Sequence, residues 1–596
     1  MRNLARAGAP LVIAASLAVP ALAFDGPVYD VEGSEDLLKD IKATSLVQSA
    51  ANEDVADPAE LLAAARADYG RLVGTLYSQG FYGGVVSIRV NGQEAAEISP
   101  LTRLGRIESI VIAVEPGRPY RFSRAQIGPL AEGTDLPDGY TSGEIAESKL
   151  IRDAAGAAID GWRAVGHAKA DVGGQEIVAN HPQAQLSSEV QIAPGPLVRF
   201  GEIQFEGSDA VRPARLREIA GFPDGEVFSP EALDGVARRL RDTQVFSSAA
   251  VTEDETLGPN DTLDVTADLV AYKPRRIGFG AEVSTVEGLG LNGYWIHRNL
   301  FGGAERLQLD AEATGIGGGT GGVDFDLSAR FERPATFSPE NTFFTELSYE
   351  RLDEDDFTSD VGFLEVGIQR YVNEHIEIQY GLAYRFSHVE DDSGTTDYSL
   401  LALPLSATYD DREEPLNAKS GYYLDLDLAP FLGTNDETGS GAWMTWDART
   451  YRSFGTDDRF TLAGRLQGGS IVGADLDETP NDLRFYSGGG GTVRGQDYQS
   501  LDVTLDDGTD SGGASFVGVS LEGRFDVTPK IGVVGFYDYG IVGEDSFPDG
   551  DSDDHSGAGI GVRYATPIGP IRLDVAAPVS GGGNGFEVYL GIGQAF

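Results

Sequence analysis

The chain contains no cysteine. Disulfides, thiolate metal sites and cysteine nucleophiles are therefore excluded. Long apolar runs are also missing. The most extended, Leu11–Leu22, falls short of the roughly 18 apolar residues that a spanning helix needs, so a helical membrane protein is not expected. Basic residues are few: 45 Lys and Arg against 94 Asp and Glu give a formal charge of −49. Such acidity argues against nucleic acid, whose phosphates need Lys and Arg, and against simple adhesion to anionic lipid. The histidines His167, His181, His297, His375, His388 and His555 form no ligand pair at helical or strand spacing. Asp549, Asp551 and Asp553 start like a calcium loop, but Asp554 and Ile560 stand where glycine and glutamate are required. No metal or other cofactor is expected. Nor does any Ser-His-Asp set or phosphate loop emerge, so no enzymatic chemistry is expected either.

What is present is glycine, 78 residues in a chain of 596, with slightly negative mean hydropathy. That length calls for several domains, and that composition suits many short strands and turns. Arg2 and Arg6, the apolar Leu11–Leu22 and the small-x-small Ala21-Leu22-Ala23 read as a secretory signal cut after Ala23. The exported remainder is then either soluble or a β-barrel, because only helices and closed barrels satisfy their backbone in lipid.

Residues 24–272 alternate helical and strand patterns. Val28–Val31 is a strand, Glu35–Ser49 and Pro58–Ser78 are helices, and Phe81–Val90 and Arg106–Val114 are strands. The order returns with Tyr120–Ile127, a helix over Gly143–Ala164, and strands Ala168–Val172 and Leu186–Ile192. It returns again with Leu197–Phe205, helices Pro213–Ile219 and Pro230–Asp242, and strands Val245–Thr252 and Leu263–Val270. Glu115-Pro116-Gly117-Arg118-Pro119-Tyr120 matches Ala193-Pro194-Gly195-Pro196-Leu197-Val198, 78 residues on (117 to 195). A boundary repeated at that interval predicts serial copies of one βααββ unit: residues 24–117, 118–195 and 196–272. Each helix also stops on a glycine in a similar setting, Gly80 before Phe81-Tyr82 and Gly166 before His167-Ala168.

From 273 to 596 strict alternation takes over. Ile277, Phe279, Ala281 and Val283 share one face, with Gly278, Gly280, Glu282 and Ser284 on the other. Leu424, Leu426 and Leu428 oppose Asp425 and Asp427. Acids on an inner face and apolar residues outside predict an antiparallel transmembrane barrel with a wet lumen, of about 16 strands. Polar loops are expected at 353–360, 391–397, 435–440, 506–513 and 544–556. The first strand is expected near Arg276–Thr285 and the last over Phe586–Phe596, with Phe596 facing outward.

Several motifs then point one way. The POTRA-like units come first. Gly293-Tyr294-Trp295-Ile296-His297-Arg298-Asn299-Leu300-Phe301-Gly302, Asp411-Arg412-Glu413-Glu414-Pro415-Leu416 with Gly421, Thr492-Val493-Arg494-Gly495 and Gly561–Asp574 follow. Together they resemble the outer-membrane assembly superfamily of POTRA domains plus barrel, and three POTRA units resemble its TamA-like branch. The resemblance implies a barrel in outer-membrane lipid and periplasmic POTRA domains. It also implies client barrel or autotransporter polypeptides and a TamB-like inner-membrane partner. POTRA sheet edges would bind segments by strand addition, or serve only as spacers. In place of the aromatic that usually follows the loop motif stands Gln496.

The same resemblance implies that Arg494 and Gly495, on the glycine-rich Gly488–Gly495 loop, enter the lumen and that Arg494 is held there by Glu522 and Asp538. Both acids lie on alternating segments shortly after the loop, and a forked guanidinium suits carboxylates where lysine does not. The barrel would close between Ile277 and Phe279 on the first strand and Gly591, Gly593 and Phe596 on the last. Glycines within a strand weaken pairing, or else serve close packing, and a weak seam could open to template client strands. A polypeptide secretion channel of the two-partner type is the alternative.

Overall fold

The structure is a computed structural model that describes residues 26–596, apart from 54, 101, 103, 104, 285–287, 320, 355, 356, 392, 393, 456, 457, 506–509, 568 and 582–584. The expected signal and its Ala23 cleavage site lie outside the described residues. Two compact bodies result. One comprises the chain up to Phe200 with Gly225–Glu231 and Leu257–Leu263, and the other comprises Gly201–Asp224, Ala232–Thr256 and Asp264–Phe596.

In the first body, Val28–Val31 runs parallel to Ile110–Glu115, which pairs antiparallel with Val85–Val90. Three helices, Glu35–Thr44, Leu46–Asn52 and Pro58–Ser78, pack over this sheet. The single helix expected over Glu35–Ser49 is broken at Ser45. There the buried Asp68 carboxylate accepts Ser45 Oγ at 2.6 Å, Leu46 N at 2.7 Å and Val47 N at 3.2 Å. Ser45 in turn caps the next helix by accepting Gln48 N at 3.2 Å, a typical use of serine. Strand 106–114 starts late, at Ile110, because Asn91 Oδ1 takes the Glu108 and Ser109 N–H groups instead.

A second sheet, in the order Arg121–Gly128, Gln185–Ala193, Asp171–Asn180, is covered by one helix, Ser148–Ala164. The two-helix plan therefore does not hold here. Residues 143–146, expected to be helical, instead bond to the strand: Phe122 N donates to Glu144 O at 2.9 Å and Ala146 N to Tyr120 O at 2.8 Å. The strand expected over Ala168–Val172 likewise begins at Asp171 and runs on to Asn180.

The predicted repeat is visible bond by bond. Tyr120 N donates to Gly80 O at 2.9 Å, and Val198 N donates to Gly166 O at 2.9 Å. Phe122 N to Glu144 O has its counterpart in Phe200 N to Glu226 O, both 2.9 Å. The third sheet has the order Arg199–Glu206, Thr262–Ala271, Phe246–Glu253, with helices Pro213–Ala220 and Pro230–Asp242.

The second body joins these last helices to a closed antiparallel barrel. Seventeen segments ring it, from Arg275–Ser284 to Glu587–Ile592. Two of them, Gly394–Ala402 and Leu405–Asp410, are one strand interrupted at Leu403-Pro404, so the barrel has 16 strands. Proline cannot donate to a ladder, and Leu403 N turns to Pro430 O at 2.9 Å. The alternation behaves as expected: Leu424, Leu426 and Leu428 are exposed on the outside. Inside, Arg330 bridges Glu332 and Glu346 at 2.8 Å each. Parts of the expected loops are strand instead: Asp360 lies in Phe357–Tyr371, Asp397 in Gly394–Ala402, and Asp553–Ser556 in Asp553–Tyr564. In the first two, cross-strand pairing runs on to Asp353 with Thr358 and Asp391 with Gly394.

One rim of the barrel is fastened to the third α/β unit. The turn after Gly288–His297 sends Ala304 into that unit's apolar core, beside Val211, Leu216 and Ile219. Buried Arg215 donates to Gly303 O at 3.4 Å and to Pro334 O at 2.5 Å. Arg298, within the Gly293–Gly302 motif, stacks on Tyr272 at 4.9 Å. Removing the Arg215 guanidinium leaves one buried and one half-buried carbonyl without their charged donor, a loss of about 2 kcal/mol. Arg215→Ala should raise amide hydrogen exchange in the 303–306 segment roughly thirtyfold while leaving the barrel folded. Unchanged exchange would show that Ala304 packing alone holds the rim.

Candidate functional site

Between strands Phe460–Val472 and Ser515–Asp526 the chain makes its longest excursion and turns into the lumen. Its upper part is anchored by apolar and polar contacts. Phe485 stacks parallel to Trp443 at 6.2 Å, Trp443 Nε1 donates to Leu483 O at 3.1 Å, and Ser487 Oγ meets His555 Nε2 at 2.8 Å. Lower down, Arg465 and Gln467 donate to Gly491 O.

Arg494 then reaches the barrel wall. It is 4% exposed, against 2% for Glu522 and 0% for Asp538. Its Nε and Nη2 form a fork on Asp538 at 2.7 and 3.0 Å, and its Nη1 donates to Glu522 Oε1 at 2.7 Å. The Phe536 ring lies 3.6 Å beneath the guanidinium carbon. Gly495 N donates to Tyr589 Oη at 3.1 Å. All four residues of the expected loop site are thus in one place. A buried guanidinium so far from water would be untenable without such partners.

The sequence reading missed the rest of the cluster. Asp574 lies 3.5 Å from Arg494 Nη1 and pairs with Arg563, and Glu522 also receives Arg524 Nε at 2.8 Å. Three buried arginines therefore face three buried carboxylates, and the group carries no net charge. Signals existed: Arg524 stands two residues beyond Glu522 and so shares its face, and Arg563 and Asp574 both lie within the Gly561–Asp574 motif. Gln496, where an aromatic was expected, is buried and donates its amide to Ser556 O at 2.7 Å and Ser580 O at 2.5 Å. The aromatic contact to Arg494 comes from Phe536 instead.

Among the described residues the first and last strands meet through two pairs, Val283 with Leu590 and Ser284 with Tyr589, and residues 275–282 of the first strand have no pair with the last. Most other neighbours share nine or more. Ile277 and Phe279 lie on the first strand, outward-facing and 62% and 86% exposed. The last strand ends at Ile592, four residues earlier than expected. Gly593, at φ +94°, turns the chain inward, a conformation costly to residues with a Cβ. Phe596 is accordingly not at the lipid face but buried among Ala418, Tyr451 and Ala463. Gly591 has a packing reason: Arg572 crosses it toward Glu282, 3.6 Å away, and a Cβ there would sit 3.1 Å from Arg572 Nε.

A 16-stranded antiparallel barrel with α/β units before it and an arginine loop in its lumen defines an outer-membrane protein of the POTRA-plus-barrel kind. Residues 299–596 match the Omp85 superfamily domain, and residues 198–271 match POTRA, described as a surface antigen variable number repeat. The chain belongs to the Omp85 superfamily. Its barrel lies in the bacterial outer membrane and its POTRA region in the periplasm.

Over 434 residues it is 25% identical to the outer membrane protein assembly factor BamA of Nitratidesulfovibrio vulgaris, covering 66% of this chain and 51% of that protein. The chain thus spans about half the length of that relative. Among solved structures it resembles BamA from Haemophilus ducreyi lacking POTRA domains 1–3, with a TM-score of 0.59 and 16% identity over 79% of this chain and all of that one. It also resembles CdiB from Acinetobacter baumannii, with a TM-score of 0.50 and 14% identity over 80% and 90% of the two chains. At such identities these likenesses concern the fold.

Breaking a buried ion cluster on one side costs about 3–5 kcal/mol, because the opposite charges stay buried. Arg494→Ala should therefore reduce the heat-resistant folded fraction of the barrel, measured by gel mobility before and after boiling. Arg494→Lys should fall between, since it keeps the charge and loses the fork on Asp538.

Proposed function

We propose that this protein inserts or assembles client barrel proteins, autotransporter-type polypeptides among them, at the junction of its first and last strands. The observation that carries the reading is that, among the described residues, the first strand pairs with the last only at Val283 and Ser284, leaving its edge over 275–282 without a ladder there. Edge N–H and C=O groups left unpaired on the first strand can template an incoming strand. The lumenal arginine cluster would keep the remaining wall rigid while the junction yields.

The TamA-like branch is supported by three successive α/β sheets among the described residues, which we assign as POTRA domains over 24–117, 118–195 and 196–272. That assignment implies a TamB-like inner-membrane partner. We assign Arg494, Gly495, Glu522 and Asp538 to a loop latch, and Ile277, Phe279, Gly591, Gly593 and Phe596 to the seam and its inward turn. Neither role requires a cofactor, and we assign no enzymatic step.

A second reading, a two-partner type secretion channel, is favoured by the fold likeness to CdiB. It needs a path through the lumen that the loop now crosses; a cavity of about 460 Å³ remains beside the loop, lined in part by Asp425, Asp427 and Asp447.

The register selects the decisive cross-link. Ile277 and Ile592 are not opposed, whereas Val283 and Leu590 are. A disulfide between Val283→Cys and Leu590→Cys should abolish client assembly under oxidation and restore it on reduction. Undiminished assembly in the locked barrel would sink the seam mechanism. Deleting the gene and measuring the outer-membrane proteome separates the two readings: many barrel proteins fall in the first, one secreted polypeptide in the second.

A further inference from the structure

Residues 593–596 leave the barrel wall and occupy a seat inside it. Gly593 N donates to Pro570 O at 2.7 Å. Gln594 is held on every side. Its N donates to Leu416 O at 3.1 Å, and its Nε2 to Asn417 Oδ1 at 3.0 Å. Its Oε1 accepts Arg563 Nε at 2.7 Å, and its main-chain oxygen accepts Arg572 Nη1 at 3.1 Å. Arg524 Nη2 donates to the Phe596 main-chain oxygen at 3.0 Å and lies 5.5 Å from its ring. The seat is therefore built by the 411–420 turn and by two arginines, Arg524 and Arg563, that also belong to the Arg494 cluster.

The register shows what this segment forgoes. Val283 opposes Leu590 and Ser284 opposes Tyr589. Continued without a shift, the same antiparallel ladder would set Gly593, Gln594, Ala595 and Phe596 opposite Gly280, Phe279, Gly278 and Ile277. Those are residues of the first strand that have no ladder partner among the described residues of the last strand. The lipid-facing row would then read Leu590, Ile592, Gln594, Phe596, since Leu590 and Ile592 are already exposed outward. Phe596 and Ile277 suit lipid. Gln594 beside Phe279 does not: its amide would face hydrocarbon without partners, an unfavourable place for a polar group.

We propose that Gln594 is a positioning residue that decides between two places for this segment, the lumenal seat and a zipped extension of the seam. One polar side chain at a lipid-facing register position keeps the seam short, and the seat provides the partners that lipid withholds. Arg572 couples the two places, because it reaches Gln594 O on one side and Glu282 across the seam on the other. The inference rests on reading the first–last junction as the working seam, and it adds what sets the length of that seam.

The test needs no client. The chain has no cysteine, so engineered pairs report without background. Phe596→Cys with Ala418→Cys reports the seat, and Phe596→Cys with Ile277→Cys reports the zipped form. With Gln594 in place, oxidation in membranes should link the first pair and leave the second free. Gln594→Leu should raise the ratio of zipped to seated product at least about tenfold. Asn417→Ala, which removes one partner from outside the strand, should shift the ratio the same way by less and serves if Gln594→Leu does not fold. An unchanged ratio in the folded variants, or a zipped product that already dominates with Gln594 present, overturns the proposal. The ratio is read independently of client assembly, so either reading can fail while the other stands.

Discussion

Burying charge is the constraint on which this barrel depends. Arg494, Arg524 and Arg563 face Glu522, Asp538 and Asp574 in a region almost closed to water. Ions in that setting are tolerable only when they neutralise one another and their hydrogen bonds are met. Two of the arginines come from the wall itself. The third must arrive on a loop, and without it the acids outnumber their partners. This makes the position of the long loop a condition of the fold rather than a consequence of it.

From that cluster, ties run outward. Gly495 is bonded to Tyr589 of the last strand, while Arg524 and Arg563 hold residues 594–596. Loop, last strand and inward-turned segment are therefore joined through the same few side chains. The opposite quality prevails along the junction of first and last strands. Strands of 15 and 16 residues, Phe357–Tyr371 and Ile376–Asp391, contrast with one of 6 at Glu587–Ile592. Polar groups deep inside bind firmly, and backbone pairing at the junction is brief among the described residues.

The architecture was legible because it rests on local rules. Alternation of Leu424, Asp425, Leu426 and Asp427 encodes a wall with a wet side and a lipid side, whatever the neighbours. The Pro-Gly boundaries 78 residues apart encoded the repeat, and the bonds of Tyr120 to Gly80 and Val198 to Gly166 show why the spacing recurs. Where local rules met a competing partner they failed. Asp68 breaks a helix at Ser45 from 23 residues away, and residues 143–146 leave a helix to bond the neighbouring strand.

By itself, then, the sequence determined the barrel, its inner and outer faces and the existence of repeated α/β units, while the resemblance of the loop motif named Glu522 and Asp538 as partners for Arg494. Periodicity, turn chemistry and the need of a buried arginine for acids are all written in the order of residues. Tertiary structure alone decided that Asp574, Arg563 and Arg524 complete the cluster, that Gly591 makes room for Arg572, and that Phe596 turns inward. Each of those depends on which strands become neighbours around a closed ring and on where the lumen offers partners. Gln594 marks the boundary between the two kinds of knowledge. Its break in an apolar row is visible in the sequence, but the seat that explains it exists only once Leu416, Asn417 and Arg563 have been brought together.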